Sequence, residues 1–163
     1  MPYSREKAVA YAHKWAYGRN PRYLNYDNLG GDCTNFISQC IHAGGARMNY
    51  TPTYGWFYIN GNRKAPAWTG VQYLYRFLTD NAGPGPHGSV VALSGVDIGD
   101  VIQLSFDGNV FGHSLFVVQA GPSAESVLVA THTNDADYRP LSSYEFKKYR
   151  CIHILGSRGL PKG

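Results

Sequence analysis

Residues 30–45 read GGDCTNFISQCIHAGG. Between the two glycine pairs, Cys33, Phe36, Ile37, Cys40 and Ile41 recur at i, i+3, i+4, i+7 and i+8, the spacing of one apolar helix face. Asp32 is a good N-cap and Gly44-Gly45 a stop, so the stretch predicts a helix with Cys33 in its first turn. Gly30 and Gly31 let the backbone turn sharply into it. The position of Cys33 matters chemically, because free N–H groups and the helix dipole stabilise a thiolate at a helix start.

Upstream, Ser4 can cap a helix in which Ala8, Ala12 and Trp15 share a face, ending before Gly18 and the Asn20-Pro21 break. Residues 18–31 read as loop. Downstream, a long aromatic connection passes through Trp56 and Trp68, and then Val71, Leu74, Tyr75 and Leu78 outline a third helix. The second half changes period: 101–106, 110–118 and 127–133 read as strands separated by turns at Asp107-Gly108 and Ala120-Gly121-Pro122. Ser142 and Glu145 suggest a short helical turn, Cys151 to Leu155 a closing strand, and residues 157–163, SRGLPKG, a flexible tail. Helices followed by antiparallel strands predict an α+β fold, a single domain over residues 1–156 with N-terminal helices packed on a C-terminal sheet.

Hydrophobic residues make up 44% and charged residues 16%, a globular balance far from the signature of disorder. The net charge of +4 is mild and its basic residues are dispersed, with no nucleic-acid motif, so nucleic acid is not the expected partner. Three cysteines without a CxxC pair give neither a disulfide framework nor a zinc site, and no cofactor or metal is expected. No run approaches the ~18 apolar residues of a membrane span. The opening MPYSREKAVAYAHK lacks the apolar centre of a signal peptide, so a secreted or cell-envelope location would need a longer parent from which a leader was trimmed.

An efficient thiol nucleophile needs an adjacent base, since only a few per cent of an ordinary cysteine is ionised near neutrality. Among six histidines, His113 and His132 stand near opposite ends of two strands joined by a turn, which a hairpin would bring together. His113 opens HSLFVV and, with period two, shares a face with Leu115 and Val117. On the partner strand His132 and Asn134 share a face, and either could hold the imidazole of His113 in one tautomer, as the register decides. Asp135 would point the other way.

GGDCTNFISQCIHAGG, GHSLFVV and THTND together resemble the bacterial family described as "Putative amidase domain", a relative of CHAP and NlpC-type peptidases, over nearly the whole chain. The resemblance implies a papain-like fold, with a cysteine opening a helix and a histidine and a third polar residue on neighbouring strands. Those places fall on Cys33 as nucleophile, His113 as base, and His132 or Asn134 as the third catalytic residue. The Cys33 N–H would be the first oxyanion donor, with Tyr26 or Asn28 a candidate second. The implied substrate is a peptide or peptidoglycan amide. A thiol acyltransferase would share the acyl-enzyme, and a catalytically silent binding or coat module would share only the scaffold.

Plainer roles exist for these residues. Cysteine is often core filling, which suits Cys40 and Cys151 well and is open to Cys33. Asp32 beside Cys33 would raise the thiol pKa unless its carboxylate is held and aimed away. His13, His42, His87 and His153 read as ordinary. The aromatic loop with Tyr50, Tyr54, Trp56, Tyr58 and Trp68 could line a cleft or pack over the sheet.

Overall fold

Ser4 takes the N-cap place with extended backbone angles, its hydroxyl accepting from the Lys7 N–H at 3.2 Å, and helix α1 follows over Arg5–Trp15. The computed structural model describes residues 2–159. Helix α2 spans Cys33–Ala43 and ends at Gly44, with the next residue, Gly45, in the left-handed region at φ 98°.

The apolar stripe of α2 is buried, and so is the rest of the helix from Cys33 to Ile41. Sequence periodicity gave no hint of this, because Thr34, Asn35, Ser38 and Gln39 lie on the remaining faces. Each finds a partner: Thr34 Oγ1 meets Ser114 Oγ at 2.9 Å, Asn35 Oδ1 accepts from Trp68 Nε1, and Gln39 Oε1 accepts from the half-buried Tyr11 hydroxyl. Ser38 Oγ donates to the Trp68 carbonyl at 2.9 Å and accepts from Trp56 Nε1 at 3.0 Å. Ser38→Ala strands both tryptophan partners and should cost about 1–3 kcal/mol of stability in urea unfolding; an unchanged midpoint would refute this role of the hydroxyl.

The aromatic connection builds a small hairpin of β1 (Tyr58–Asn60) and β2 (Arg63–Lys64), then α3 (Pro66–Thr69) and α4 (Val71–Asp80). Trp56 and Trp68 are fully buried, ring centroids 4.7 Å apart, so this part of the loop packs as core, whereas Tyr50 and Tyr54 are exposed. A six-stranded sheet follows, from β3 (Gly85–Val91), β4 (Val101–Ser105), β5 (His113–Gln119), β6 (Leu128–Thr131), β7 (Ala136–Pro140) and β8 (Lys148–Arg158). Its order is β3-β8-β4-β5-β6-β7, with every pair antiparallel. One face, with Val101, Phe116, Ala130 and Ile152, packs against the helices; the other, with Ile102, Leu104, Leu115 and Val129, is covered by connecting segments through Val96, Val127 and Leu141. The chain is therefore an α+β domain of helices on an antiparallel sheet. Among the described residues no helix is long and apolar enough to cross a membrane.

Several boundaries differ from the sequence reading for local reasons. Strand β5 begins at His113 rather than 110, because Asp107 Oδ1 accepts from the Asn109 and Val110 N–H groups and holds them in the turn. Strand β6 stops at Thr131, because Thr133 and Asn134 adopt left-handed φ values of 60° and 63°. Strands β3 and β7 carry Pro86 and Pro140 and lie at the two sheet edges, the places that tolerate proline. Part of the expected tail is strand: Ser157 pairs with Pro86 and Arg158 with Gly85. Residues 160–163 of that tail lie outside the described residues. The helical turn expected from Ser142 is a single 3-10 turn over Leu141–Ser143.

Candidate active site

Cys33 is the first residue of α2, and Asp32 holds the cap position without capping: its side chain takes none of the free helix N–H groups. The fully buried carboxylate turns away instead. Oδ1 accepts from the Tyr26 N–H (2.8 Å) and Asn35 Nδ2 (2.9 Å), Oδ2 meets His132 Nδ1 at 2.5 Å, and Arg19 Nε lies 3.6 Å off. The expected cap is thus corrected by competition: Arg19 and Tyr26 of the preceding loop, His132 from beyond β6 and Asn35 of α2 itself claim the carboxylate, and the first-turn N–H groups are left without a side-chain cap. This meets the condition under which an acid can sit beside a reactive thiol, namely that its carboxylate is held and aimed away.

The Cys33 sulfur lies against the main-chain N–H of Ser114 and is 3.7 Å from Thr34 Oγ1. Burial pushes the thiol above its ordinary value, with a smaller push from Asp32, while the Ser114 and Thr34 hydrogen bonds pull it down. Ser114 is the chain neighbour of His113. Its carbonyl accepts from the Thr131 hydroxyl at 2.8 Å, so the sulfur sits where the β5-β6 ladder ends.

His113 opens β5 opposite Leu104, only 6% exposed, between the rings of Phe106 and Tyr144, whose centroids are each 6.1 Å away. Burial first, and the Arg139 charge second, lower its pKa to about 4. The resting state near neutrality is therefore a thiol and a neutral imidazole, not a preformed ion pair. Among the described residues no hydrogen bond joins the sulfur to the imidazole, and Cys33 does not line the cavity that His113 lines; the link between them is the backbone of Ser114, next in the chain to His113.

The β5-β6 register separates the two candidates for a third residue. Phe116 faces Ala130, so one step beyond the ladder places His132 beside Ser114, on the helix face. There His132 stacks on Phe36 at 4.2 Å, with Nδ1 on Asp32 and Nε2 on the Trp15 carbonyl at 2.8 Å. It is 1% exposed. The two left-handed residues that follow break the alternation, and Asn134 lines the same cavity as His113. Thr133 joins the two places: it lines that cavity and its hydroxyl accepts from the Asp32 N–H at 3.1 Å. Gly31 is required here, since its φ is 105° and a Cβ would come within 3.3 Å of Thr133 Oγ1.

The cavity holds about 760 Å³ and is lined by Phe106, His113, Asn134, Arg139, Tyr144 and Lys147, among others. A second cavity of about 430 Å³, between Asn49, Tyr73 and Asp80, touches none of the candidate residues. Cys40 and Cys151 are core residues with thiols pushed up by burial, Cys151 to about 12. Asp135 pairs with Arg19 at 2.9 Å, and the Tyr26 hydroxyl donates to the Gly61 carbonyl at 3.3 Å. Asn28 is exposed on its loop. Among the described residues no three His, Cys, Asp or Glu side chains stand together as a metal site. Sequence reasoning missed Arg19, Arg139 and Tyr144, whose places depend on loops and an edge strand without a periodic pattern.

A protein of Bacillus subtilis (strain 168), described as "Uncharacterized protein YhbB", is 34% identical over 162 residues. The match covers 94% of this chain and 50% of that protein, so the chain spans about half the length of this relative. No solved structure matches the chain. A family model described as "Putative amidase domain" matches residues 2–155, nearly the whole chain, and its description points to an amide-cleaving hydrolase. The chain belongs to that family.

Proposed function

We propose that the domain is a cysteine-dependent amidase or peptidase of papain-like type, akin to NlpC and CHAP enzymes, that hydrolyses an amide bond in bacterial cell-wall peptide. The observation that carries this reading is the seat of the Cys33 sulfur: at the uncapped start of α2 and against the N–H of Ser114, the residue that follows His113, whose imidazole lines a cavity. Membership of an amidase family supports the reaction class.

In this mechanism His113, neutral at rest, accepts the thiol proton as the sulfur adds to the amide carbonyl. The free first-turn N–H groups of α2 receive the negative charge that develops on the carbonyl oxygen. The protonated imidazole then gives its proton to the departing amine, leaving a thioester on Cys33. Water, deprotonated by His113, attacks the thioester, and the acid leaves as the thiol regains its proton. Asn134, in the cavity with His113, is the third residue and orients the ring.

Purified peptidoglycan incubated with the protein should release fragments bearing one new amine and one new carboxylate, read by mass spectrometry. Iodoacetamide should label Cys33 ahead of Cys40 and Cys151, because Cys33 is 7% exposed while the others are at 0% and 1%. Labelling that is slowed by His113→Ala supports the pairing. Intact peptidoglycan together with equal labelling of the three thiols would sink the proposal.

A further inference from the structure

The cavity beside His113 holds a cation that has no anionic partner among the described residues. Arg139 on β7 donates from Nε to the Ser143 hydroxyl at 2.7 Å and from Nη2 to the Ser143 carbonyl at 3.2 Å, and its guanidinium sits 3.8 Å from the centroid of the Tyr144 ring. These contacts hold the fork in one orientation and leave Nη1 unassigned. Arg5 and Arg19 are each tied to aspartates. Among the described residues no carboxylate pairs with Arg139, although Glu145 lines the same cavity. The Tyr144 hydroxyl is buried and closes no hydrogen bond of good geometry, although the Arg139 guanidinium is near enough to act on it. A buried hydroxyl without a partner is rare in a folded protein, and here it stands next to an unpaired guanidinium.

The geometry points to Arg139 and Tyr144 as a carboxylate-reading pair, so that the substrate of this site carries a free carboxylate close to the amide that is cut. The inference rests on His113 being the base of that site. A planar guanidinium offers two parallel N–H bonds to a carboxylate, and the tyrosine hydroxyl supplies a third donor. Binding also neutralises the charge that disfavours a protonated His113, so the carboxylate assists proton acceptance as well as recognition.

The test reads binding on Cys33→Ala protein by calorimetry, with N-acetyl-alanyl-alanine and its C-terminal amide as probes. The acid should bind about tenfold or more tighter than the amide. Arg139→Gln should erase that preference, Arg139→Lys should restore only part of it, and Tyr144→Phe should weaken the acid severalfold. Equal affinity for acid and amide, a preference that survives Arg139→Gln, or no binding of either at millimolar concentration would overturn the assignment. Failure of the thiol chemistry would show separately, as unmutated protein that binds the acid and cleaves no amide.

Discussion

Cys33→Ala should reduce amide turnover at least about 1,000-fold, and His113→Ala about 100- to 10,000-fold, with both proteins still folded. The first change removes the atom that forms the acyl-enzyme. It deletes one sulfur from a site that is not the centre of the core, so stability should stay within about 1 kcal/mol. The second removes the imidazole proposed as the base, and its effect has a signature that a structural histidine would not give. Because His113 works as a neutral ring with a pKa near 4, the acid limb of kcat/KM should lie near that value and not near the ordinary 6.5 of histidine. The same burial enters folding. Between pH 6.5 and about 4 the unfolded chain protonates this ring while the folded chain does not, so its contribution is fully present above about pH 6.5 and fades as pH falls toward 4. The span of that loss is at most about 3 kcal/mol. His113→Gln should therefore flatten the decline of Tm between pH 7 and 4.5 relative to the parent. A variant with full turnover, or an unchanged decline, would remove His113 from its role.

What the sequence revealed of this site and what it hid follow from local and distant causes. Helix α2 is legible because its glycine pairs and its apolar stripe are local, and His113 because a glycine precedes it at the head of an apolar strand. The choice between His132 and Asn134 was hidden. Period-two reasoning puts both on one face, and only the left-handed pair Thr133-Asn134 separates them; asparagine tolerates that conformation, but a β-branched threonine gives no warning of it. The destination of the Asp32 carboxylate was hidden as well, since Arg19, Tyr26 and His132 come from two loops far apart in the chain. Edge strands β3 and β7 escaped notice because their glycines, prolines and charges break any alternation, and with β7 went Arg139.

The two candidates should separate in experiment as they do in space. His132 meets the Asp32 carboxylate at one nitrogen and the Trp15 carbonyl at the other, and so ties the end of α1 to the start of α2. Both partners of this pair are 1% exposed. Removing the ring strands the Asp32 oxygen and the Trp15 carbonyl and opens a cavity against Phe36, at a cost of about 3–5 kcal/mol. For a domain of this size each kcal/mol lowers Tm by roughly 2–4 °C, so His132→Ala should lower it by about 6–20 °C. The loss is moderated where Arg19, Tyr26 and Asn35 still hold Asp32. Asp32→Asn, which keeps an acceptor for the ring, should cost less than Asp32→Ala. Asn134→Gly preserves the left-handed backbone and deletes only the amide, so its Tm should change little while kcat falls about tenfold or more. The acid limb set by His113 should not move in the folded fraction of His132→Ala, because its ring lies on the other face of the sheet from Leu115 and His113. Should His132→Ala keep its Tm and lose turnover while Asn134→Gly keeps its turnover, the third residue is His132, and the buried pair with Asp32 belongs to catalysis instead of to the framework that aims Cys33.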